Sequence, residues 1–328
     1  SNATLHNEDE IIRKDVRIGD TVVVERAGDV IPHIISVDFN KRDSNSKKFT
    51  FPIKCPSCGS KTIKEFNLIT KKNDAVRRCS SEGFDCEKVA VEKIKHFVSK
   101  DAFNIEGFGK KIVENFWKIK LIELPQDIFN LDYNKIQKMD GWGKQSIKNL
   151  KQSIELRKNI SFERFIFSLG IRHIGLENAK LISKNLKFSK NFFALSKKEN
   201  LKELSIIDGI GETQIKSLKN FFSNKKNLLI LNKLEKILKI RDSIALNKSG
   251  LLNNKNFMLT GKLNGISRAE VKSIIEQNSG SIISSVSKKL DYLVVGEKPT
   301  RRKVELAKEL RIKTINQNEL FKMLNKTS

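Results

Sequence analysis

The chain has 328 residues, and its 63 Lys and Arg against 38 Asp and Glu give a formal net charge of +25. This balance favours a polyanionic partner, nucleic acid first, although the Lys, Asn and Ile bias of an AT-rich genome would raise the charge whatever the function. No apolar run is long enough to span a membrane and no signal peptide opens the chain, so we expect a cytoplasmic protein that binds no membrane. The length suits two domains or several small modules.

Two β-strands are predicted near the N-terminus, over residues 21–26 and 30–37, because both segments are rich in β-branched residues. Residues 27–29 would form the turn between them, and Pro32 suits an edge strand or a bulge. Only about 50 residues precede the first cysteine, which is few for a five-stranded barrel. We therefore expect residues 1–53 to form a partial β-barrel that lacks its first strands.

Four cysteines within 32 positions predict a metal site. They are Cys55, Cys58, Cys79 and Cys86. In a reducing cytosol, clustered thiolates more often bind Zn²⁺ than form disulfides, and four protein ligands leave the metal no open position. A structural zinc finger is therefore expected over residues 54–90. His96 as a substitute ligand and a redox-active CxxC pair are the alternatives, but no βαβ pattern surrounds the pair as the redox role would require.

A short glycine signature recurs four times after the cysteines. Its copies are Gly107-Phe-Gly109, Gly141-Trp-Gly143, His173-Ile-Gly175 and Gly209-Ile-Gly211. The closing glycines lie 34, 32 and 36 residues apart, an apolar residue stands two places before each copy, and an amphipathic helical stretch follows. The pattern predicts four helix-hairpin-helix units over residues 91–242.

Each hairpin with two glycines is a candidate site for a DNA phosphate. Glycines let the turn approach a ligand closely, and the NH groups at the start of the second helix bind an anion. Lys110, Lys111, Lys144 and Arg172 would add positive charge. Such contacts hold DNA without reading its sequence. For the third copy, where His173 replaces glycine, a purely structural role is the alternative.

The run Lys138-Met-Asp-Gly141 matches the KxDG pattern in which nucleotidyltransferases of the ligase superfamily form a lysine–AMP bond. Met139 and Gly141 already belong to the hairpin repeat, and no other part of a pocket that would activate a lysine is visible. We therefore interpret Lys138 as a solvated lysine at a helix end.

The pattern changes to α/β after a linker over residues 243–254, which is rich in Ser, Asn, Lys and Gly. Strands are predicted at 257–261, 281–286, 291–295 and 314–315, and helices at 267–280, 301–310 and 319–324. This order predicts a small parallel sheet flanked by helices over residues 255–328.

Two short features mark the start of this last domain. Ser267 and Glu270 have the spacing of a capping box that opens a helix. Thr260, Gly261 and Lys303 could together hold a phosphate by hydroxyl, backbone NH and ammonium. The alternative is an ordinary turn at a strand end beside a surface lysine.

Together these modules resemble the bacterial NAD-dependent DNA ligase family over nearly the whole chain. Three segments are similar to the OB-fold of that family: Thr4-Leu-His-Asn-Glu-Asp-Glu-Ile11, Arg17-Ile-Gly-Asp20 and Arg26-Ala-Gly-Asp-Val-Ile-Pro32. The cysteines are similar to its zinc finger, Lys95-His-Phe-Val-Ser99 to the entry into its helix-hairpin-helix motifs, and the last domain to its BRCT domain. The expected fold class is multidomain: a partial OB-fold barrel, a small zinc finger, an all-α helix-hairpin-helix domain and a small α/β BRCT domain.

The resemblance implies a role in joining DNA. In that family an upstream adenylation domain, expected to be absent here, uses NAD⁺ and Mg²⁺ to place AMP on a lysine and then on the 5′-phosphate of a nick, which is joined to the 3′-hydroxyl. This chain would be the inactive, monomeric DNA clamp, working on nicked duplexes at the nucleoid in replication and repair. By the family's motif, Thr4, Arg26, Val30 and Ile31 would contact DNA near the nick, Arg26 through phosphate and the two apolar residues through sugars in the minor groove.

Two departures from the family pattern carry expectations of their own. Arg301 and Arg302 stand where the family usually has Gly-Ser before the equivalent of Lys303, which suits DNA backbone better than a phosphopeptide. The gap between Cys58 and Cys79 is longer than usual and is expected to be a solvent loop. The competing hypothesis is a non-catalytic scaffold that binds nicks or junctions. A helix-hairpin-helix nuclease would need a carboxylate cluster for two metals, and no convincing one is seen.

Overall fold

The computed structural model describes residues 2–26, 31–67, 70–197, 201–243 and 251–324. The chain divides into two compact units, Ser1–Lys88 and Val89–Ser328. Across the described ranges, no helix is both long and apolar enough to cross a lipid bilayer.

The N-terminal part of the first unit contains one helix and an antiparallel strand pair. Its elements are α1 (Glu8–Arg13), β1 (Val22–Glu25), β2 (His33–Val37) and a 3₁₀ turn over Phe39–Lys41. The predicted strand pair is confirmed, although both strands are shorter than expected. A β-bulge lies at Val23 and Val24. Helix α1 was not predicted, although its signal is in the sequence: Asn7 caps it by accepting from the Glu10 NH, and its first turn is acidic.

A second antiparallel hairpin of this unit lies between the first cysteine pair and Cys86, and it ends at Cys79. It consists of β3 (Thr62–Asn67) and β4 (Lys72–Cys79), paired so that Thr62 faces Cys79. The prediction of a solvent loop between Cys58 and Cys79 is therefore wrong, because most of this segment folds as a β-hairpin. Strand β3 contains Thr62, Ile63 and Phe66, which are residue types that favour strands. Arg77 of β4 donates to the Glu8 carboxylate at 2.8 and 2.9 Å and so holds α1 against the hairpin.

The first part of the second unit, the hairpin domain, is mainly helical. Its helices are α2 (Glu87–Phe97), α3 (Lys110–Lys118), α4 (Tyr133–Gln137), α5 (Lys144–Arg157), α6 (Phe162–Ser168), α7 (Leu176–Leu186), α8 (Ser189–Leu195), α9 (Lys202–Ser205), α10 (Glu212–Ser223) and α11 (Lys225–Ile237), with a 3₁₀ helix over Pro125–Asn130. Six phenylalanines, each less than 2% exposed, dominate its core: Phe97, Phe103, Phe116, Phe162, Phe165 and Phe192.

The sequence had led us to expect an all-α hairpin domain, but the domain also contains a short β-pair. Two three-residue strands, β5 (Asn159–Ser161) and β6 (Lys239–Arg241), pair in parallel. They are too short to show a strand period in sequence. The pairing brings the end of the domain back beside its middle.

The C-terminal domain has the predicted order of strands and helices. Its elements are β7 (Asn256–Thr260), α12 (Arg268–Gln277), β8 (Ser281–Ile282), β9 (Tyr292–Val295), α13 (Arg301–Glu309), β10 (Lys313–Asn316) and α14 (Gln317–Leu324). The sheet is parallel with the order β10-β9-β7-β8. Residues 244–250 of the predicted linker lie outside the described residues. Leu252, also assigned to the linker from sequence, is fully buried against Phe257 and Val271 and belongs to this core.

A buried polar network joins the C-terminal domain to the hairpin domain. Arg164 of α6 donates through Nη1 to Glu270 Oε1 of α12 at 2.5 Å and to Ser267 Oγ at 3.0 Å. The Ser161 NH donates to the same carboxylate at 3.3 Å, and Arg241 contacts it from β6. We call this set the interdomain network; its members are Ser161, Glu163, Arg164, Arg241, Ser267, Glu270 and Ser273.

Candidate nucleic-acid interface and metal centre

The four cysteines meet at one point of the first unit. All their sulfur atoms lie within 4.8 Å of one another, with Cys58 and Cys79 at 3.4 Å and Cys55 and Cys86 at 4.0 Å. A tetrahedral ion with metal–sulfur bonds of about 2.3 Å needs sulfur atoms about 3.8 Å apart. The predicted cysteines are therefore brought together in an arrangement that fits a four-coordinate metal ion.

Local turns and strand ends position these thiols. Gly59 adopts φ +73°, and its NH donates to the Cys55 carbonyl at 2.8 Å, which closes the turn around the first pair. Hydrogen bonds from Ser60 lower the pKa of the Cys58 thiol to about 6, whereas desolvation raises the pKa of Cys79 to about 12. The alternative ligand His96 is engaged elsewhere, with its Nε2 2.8 Å from the Phe167 carbonyl oxygen.

The four glycine signatures form the same backbone turn. In each, the NH of the central apolar residue donates to the carbonyl three residues earlier, at 3.0–3.2 Å. The donors are Phe108, Trp142, Ile174 and Ile210, and the acceptors are Ile105, Met139, Ile171 and Ile207. The first glycines have φ of +80°, +83° and +87° at Gly107, Gly141 and Gly209. Positive φ at the third position is what a type II turn requires, so these glycines are needed by the fold.

His173 adopts the same left-handed conformation, with φ +60°. The third copy therefore keeps the hairpin backbone although it lacks the first glycine. Its shape is held locally, since Asn178 Nδ2 donates to the His173 carbonyl at 2.9 Å.

The closing glycines have a different status, because the fold does not need them. Gly109, Gly143, Gly175 and Gly211 are the N-caps of α3, α5, α7 and α10, with extended backbones at φ between −72° and −91°. All four are exposed. A Cβ atom added at Gly109, Gly143 or Gly175 would meet nothing within 4 Å, and one at Gly211 would make only an ordinary contact. Glycine at these positions leaves room for something outside the chain.

Side chains around the helix starts complete the hairpins. The NH of Gly143 donates to Ser146 Oγ at 2.9 Å, and the NH of Gly211 donates to Gln214 Oε1 at 3.2 Å. A ligand would therefore be bound there by the NH groups of the first helical turn, which have no partner within a helix. These two caps were not predicted, although the third helical position is where a capping box places such side chains.

The predicted cations of the hairpins are accessible. Lys110 and Lys144 are exposed at the first positions of α3 and α5. Lys138 of the KxDG run is exposed at the C-cap of α4, next to the hairpin turn.

The predicted contact residues of the N-terminal part lie beside strand β2. Thr4 forms a bridge to His33, and its NH donates to the Pro32 carbonyl at 2.8 Å. Arg26 is exposed, and the Ile31 side chain is 69% exposed. Val30 lies outside the described residues.

Two of the three residues predicted to bind a phosphate in the C-terminal domain make contacts within the chain instead. Thr260 is 1% exposed, and its Oγ1 accepts from the Thr300 NH at 3.1 Å at the start of α13. Gly261 has φ +81°, and a Cβ there would lie 2.7 Å from the Gly296 backbone. Both residues serve the internal packing of the strand end. This supports the alternative interpretation, in which they form an ordinary turn beside the surface residue Lys303.

Comparison with protein families matches three segments of the chain. The NAD-dependent DNA ligase OB-fold domain matches residues 1–46, the helix-hairpin-helix motif residues 164–231 and the BRCA1 C Terminus (BRCT) domain residues 247–324. The multidomain fold class predicted from sequence is thereby confirmed, apart from the short β-pair in the hairpin domain.

Curated relatives carry the name DNA ligase. That of Pelagibacter ubique (strain HTCC1062) is 70% identical over 327 residues, covering 100% of this chain and 48% of that protein. Those of Wolbachia pipientis subsp. Culex pipiens (strain wPip) and Rickettsia bellii (strain RML369-C) are 43% and 41% identical, covering 97% of this chain and 48% and 47% of those proteins. This chain spans about half the length of the curated relatives it matches. It belongs to the NAD-dependent DNA ligase family, and it carries that family's OB-fold, helix-hairpin-helix and BRCT modules in this order.

Proposed function

We propose that this chain is the DNA-holding part of a ligase that joins the 3′-hydroxyl and 5′-phosphate ends at nicks in duplex DNA, during replication and repair. In the intact enzyme an adenylation domain would supply the NAD⁺ and Mg²⁺ chemistry. The chain would act as a monomer on DNA of the nucleoid, in the cytoplasm. The relatives' name favours this function over a non-catalytic scaffold.

The closing glycines are the observation that carries the proposal. They are exposed, they begin four helices, and their lack of a side chain serves no contact within the chain. A sugar-phosphate backbone lying against the helix starts would need that space, and the first-turn NH groups would bind its oxygens. Lys110 and Lys144 would neutralise neighbouring phosphates.

We assign the remaining contacts by position. Arg26 would pair with phosphate near the nick, while Val30 and Ile31 would press on sugars in the minor groove and Thr4 would lie beside them. The hairpin residues of the proposal are Gly107, Gly109, Lys110, Gly141, Gly143, Lys144, Gly175, Gly209 and Gly211.

The metal bound by the four cysteines would be zinc in a structural role. Four thiolates fill a tetrahedral shell, so no position remains for water or substrate. The ion would tie the turn at Cys55 and Cys58 to the end of β4 and the start of α2, which short β-strands alone would hold weakly.

The decisive experiment is a salt-dependent binding titration against nicked and intact duplexes of one sequence, with Gly143→Ser as the test variant. Serine is a favourable N-cap, so the melting temperature should not fall. Its side chain would occupy the space meant for the backbone, and we expect affinity to drop by about tenfold, equivalent to one lost phosphate contact.

Unchanged affinity of Gly143→Ser would contradict the phosphate role of the hairpin. A preference of the wild-type chain for the nicked duplex would support nick sensing by the clamp. Equal affinity for both duplexes with a steep salt dependence would assign nick recognition to the adenylation domain instead.

A further inference from the structure

A large cleft separates the first two hairpins from the BRCT domain within the second unit. Its volume is about 1280 Å³. Gly107, Gly141 and Trp142 lie on the hairpin wall, and the loop of residues 261–268 with Lys298 forms the BRCT wall. The turns of two adjacent hairpins therefore face the same loop of the BRCT domain.

The cleft carries more positive than negative side chains. Its cations are Lys100, Arg157, Lys262, Arg268 and Lys298, and its acids are Glu106 and Glu297. Lys100 and Lys298 are exposed, one on each wall. Lys262 reaches across to Glu106 on the hairpin wall at 3.1 Å, an exposed pair whose net strength is small. A polyanion fits this lining better than an apolar peptide does.

The interdomain network fixes the distance between the two walls. Glu270 and Arg164 are each 3% exposed at the side chain, and separating such a pair would leave an uncompensated buried charge, so the pair anchors its two helices to each other. Arg164 also donates through Nη2 to the Lys100 carbonyl at 3.2 Å. One guanidinium thus connects the backbone of the hairpin wall to the helix that follows the BRCT loop.

We propose that this cleft is a seat for one DNA backbone, with the BRCT domain as its second wall. The proposal rests on the function proposed above, since it extends the surface of hairpins 1 and 2. The turn residues Gly107 and Gly141, which precede the helix starts by two positions, line the same cleft as Lys262 and Lys298. Gly107 and Gly141 stay exposed with the BRCT domain in place, so the docked domain leaves both turns open to DNA.

The test compares single charge removals in the full chain on a duplex of fixed sequence. Lys298→Gln and Lys100→Gln should each reduce the slope of log Kd against log salt by about 1 and weaken binding about tenfold at 0.1 M salt. Lys288→Gln is the matched control, because Lys288 is an exposed BRCT lysine outside the cleft. If Lys298→Gln behaves like Lys288→Gln, the proposal is overturned.

A second variant tests the role of the interdomain network. Glu270→Arg places a third cation beside Arg164 and Arg241 and should release the BRCT wall. In that background Lys298→Gln should no longer alter the slope, whereas Lys100→Gln should keep its effect. Tighter DNA binding by Glu270→Arg would mean that the docked domain obstructs the hairpins, and would overturn the proposal. If Glu270→Arg does not fold, the single Lys298→Gln comparison decides alone.

Gly143→Ser separates the failure of this proposal from failure of the proposed function. Weaker binding by Gly143→Ser with no effect of Lys298→Gln would reject the cleft and retain the hairpins as DNA contacts. No effect of either variant would reject both.

Discussion

Arg164 and Glu270 lie 106 residues apart in the chain and meet at 2.5 Å, with 3% of each side chain exposed. The pair joins a helix of the hairpin domain to the first helix of the BRCT domain. Because neither charge reaches water, each depends on the other and on the remaining partners in the interdomain network for its solvation. This dependence makes the placement of the BRCT domain sensitive to a single substitution.

We expect Glu270→Gln to lower the free energy of unfolding by about 3–5 kcal/mol, because Arg164 would remain buried without its opposite charge. Urea titration followed by circular dichroism would measure the change. Glu305→Gln is the control, since Glu305 pairs with Arg301 in an exposed pair worth less than about 1 kcal/mol. Equal losses in the two variants would show that burial of the Arg164 pair has no special weight.

Zinc binding should release protons at neutral pH. The thiol of Cys79, with its pKa raised to about 12, is protonated at pH 7 before metal binds, whereas Cys58 with a pKa of about 6 is mostly thiolate. Because the metal binds thiolates, its affinity should rise with pH. Calorimetry in buffers of different ionisation enthalpy should detect at least one proton released per ion, and chelation should destabilise the β3–β4 hairpin. An affinity independent of pH would contradict this assignment.

The N-terminal part should lose stability in acid. Hydrogen bonding to the Arg42 guanidinium lowers the pKa of Asp20, and Arg17 with Arg42 lowers that of Asp15. A lowered carboxyl pKa stabilises the fold fully above the unfolded value of about 4, and the stabilisation is lost as pH falls through the folded value.

Melting temperatures measured from pH 7 to pH 3 should therefore fall below about pH 4. Arg42→Met should flatten the profile, and Lys41→Met, which removes only an exposed partner of Asp38, should not. A profile unchanged by Arg42→Met would reject the role of these ion pairs.

Replacing His173 with glycine should raise stability by about 0.5–1 kcal/mol. The left-handed backbone at φ +60° costs a histidine about 1–2 kcal/mol, and the added freedom of glycine in the unfolded chain offsets part of the gain. Arg172→Gly, one residue earlier and without positive φ, should be destabilising instead. Thermal unfolding of the two variants measures the difference, and a loss of stability in both would show that the His173 side chain makes compensating contacts.

Features set by local chemistry could be predicted from the sequence. The hairpin turns follow from glycines at positions that need positive φ, and the cysteine cluster follows from ligand spacing. The BRCT order follows from strands and helices that alternate along the chain. Helix α1 was predictable in the same way, because Asn7 and the acidic turn after it have the pattern of an N-cap and a first helical turn.

Features set by distant contacts could not be predicted in this way. Ser267 caps α12 as expected, accepting from the Glu270 NH at 3.1 Å, but the Glu270 side chain turns to Arg164 instead of completing the capping box. Nothing near Glu270 in sequence marks that partner. The cleft lysines likewise gain meaning only when two domains are packed together, since each is an ordinary surface residue in sequence.

The short parallel pair of β5 and β6 has a consequence for the order in which the chain folds. Its strands lie about 80 residues apart, and closing a loop of that length costs about 4 kcal/mol in chain entropy, more than three ladder positions return on their own. The pair can therefore form only after the intervening helices have packed. Ser161 and Arg241, one from each strand, both contact Glu270. During synthesis the BRCT domain thus finds its docking surface complete only once residue 241 has returned to the middle of the hairpin domain, which makes its docking a late step of folding.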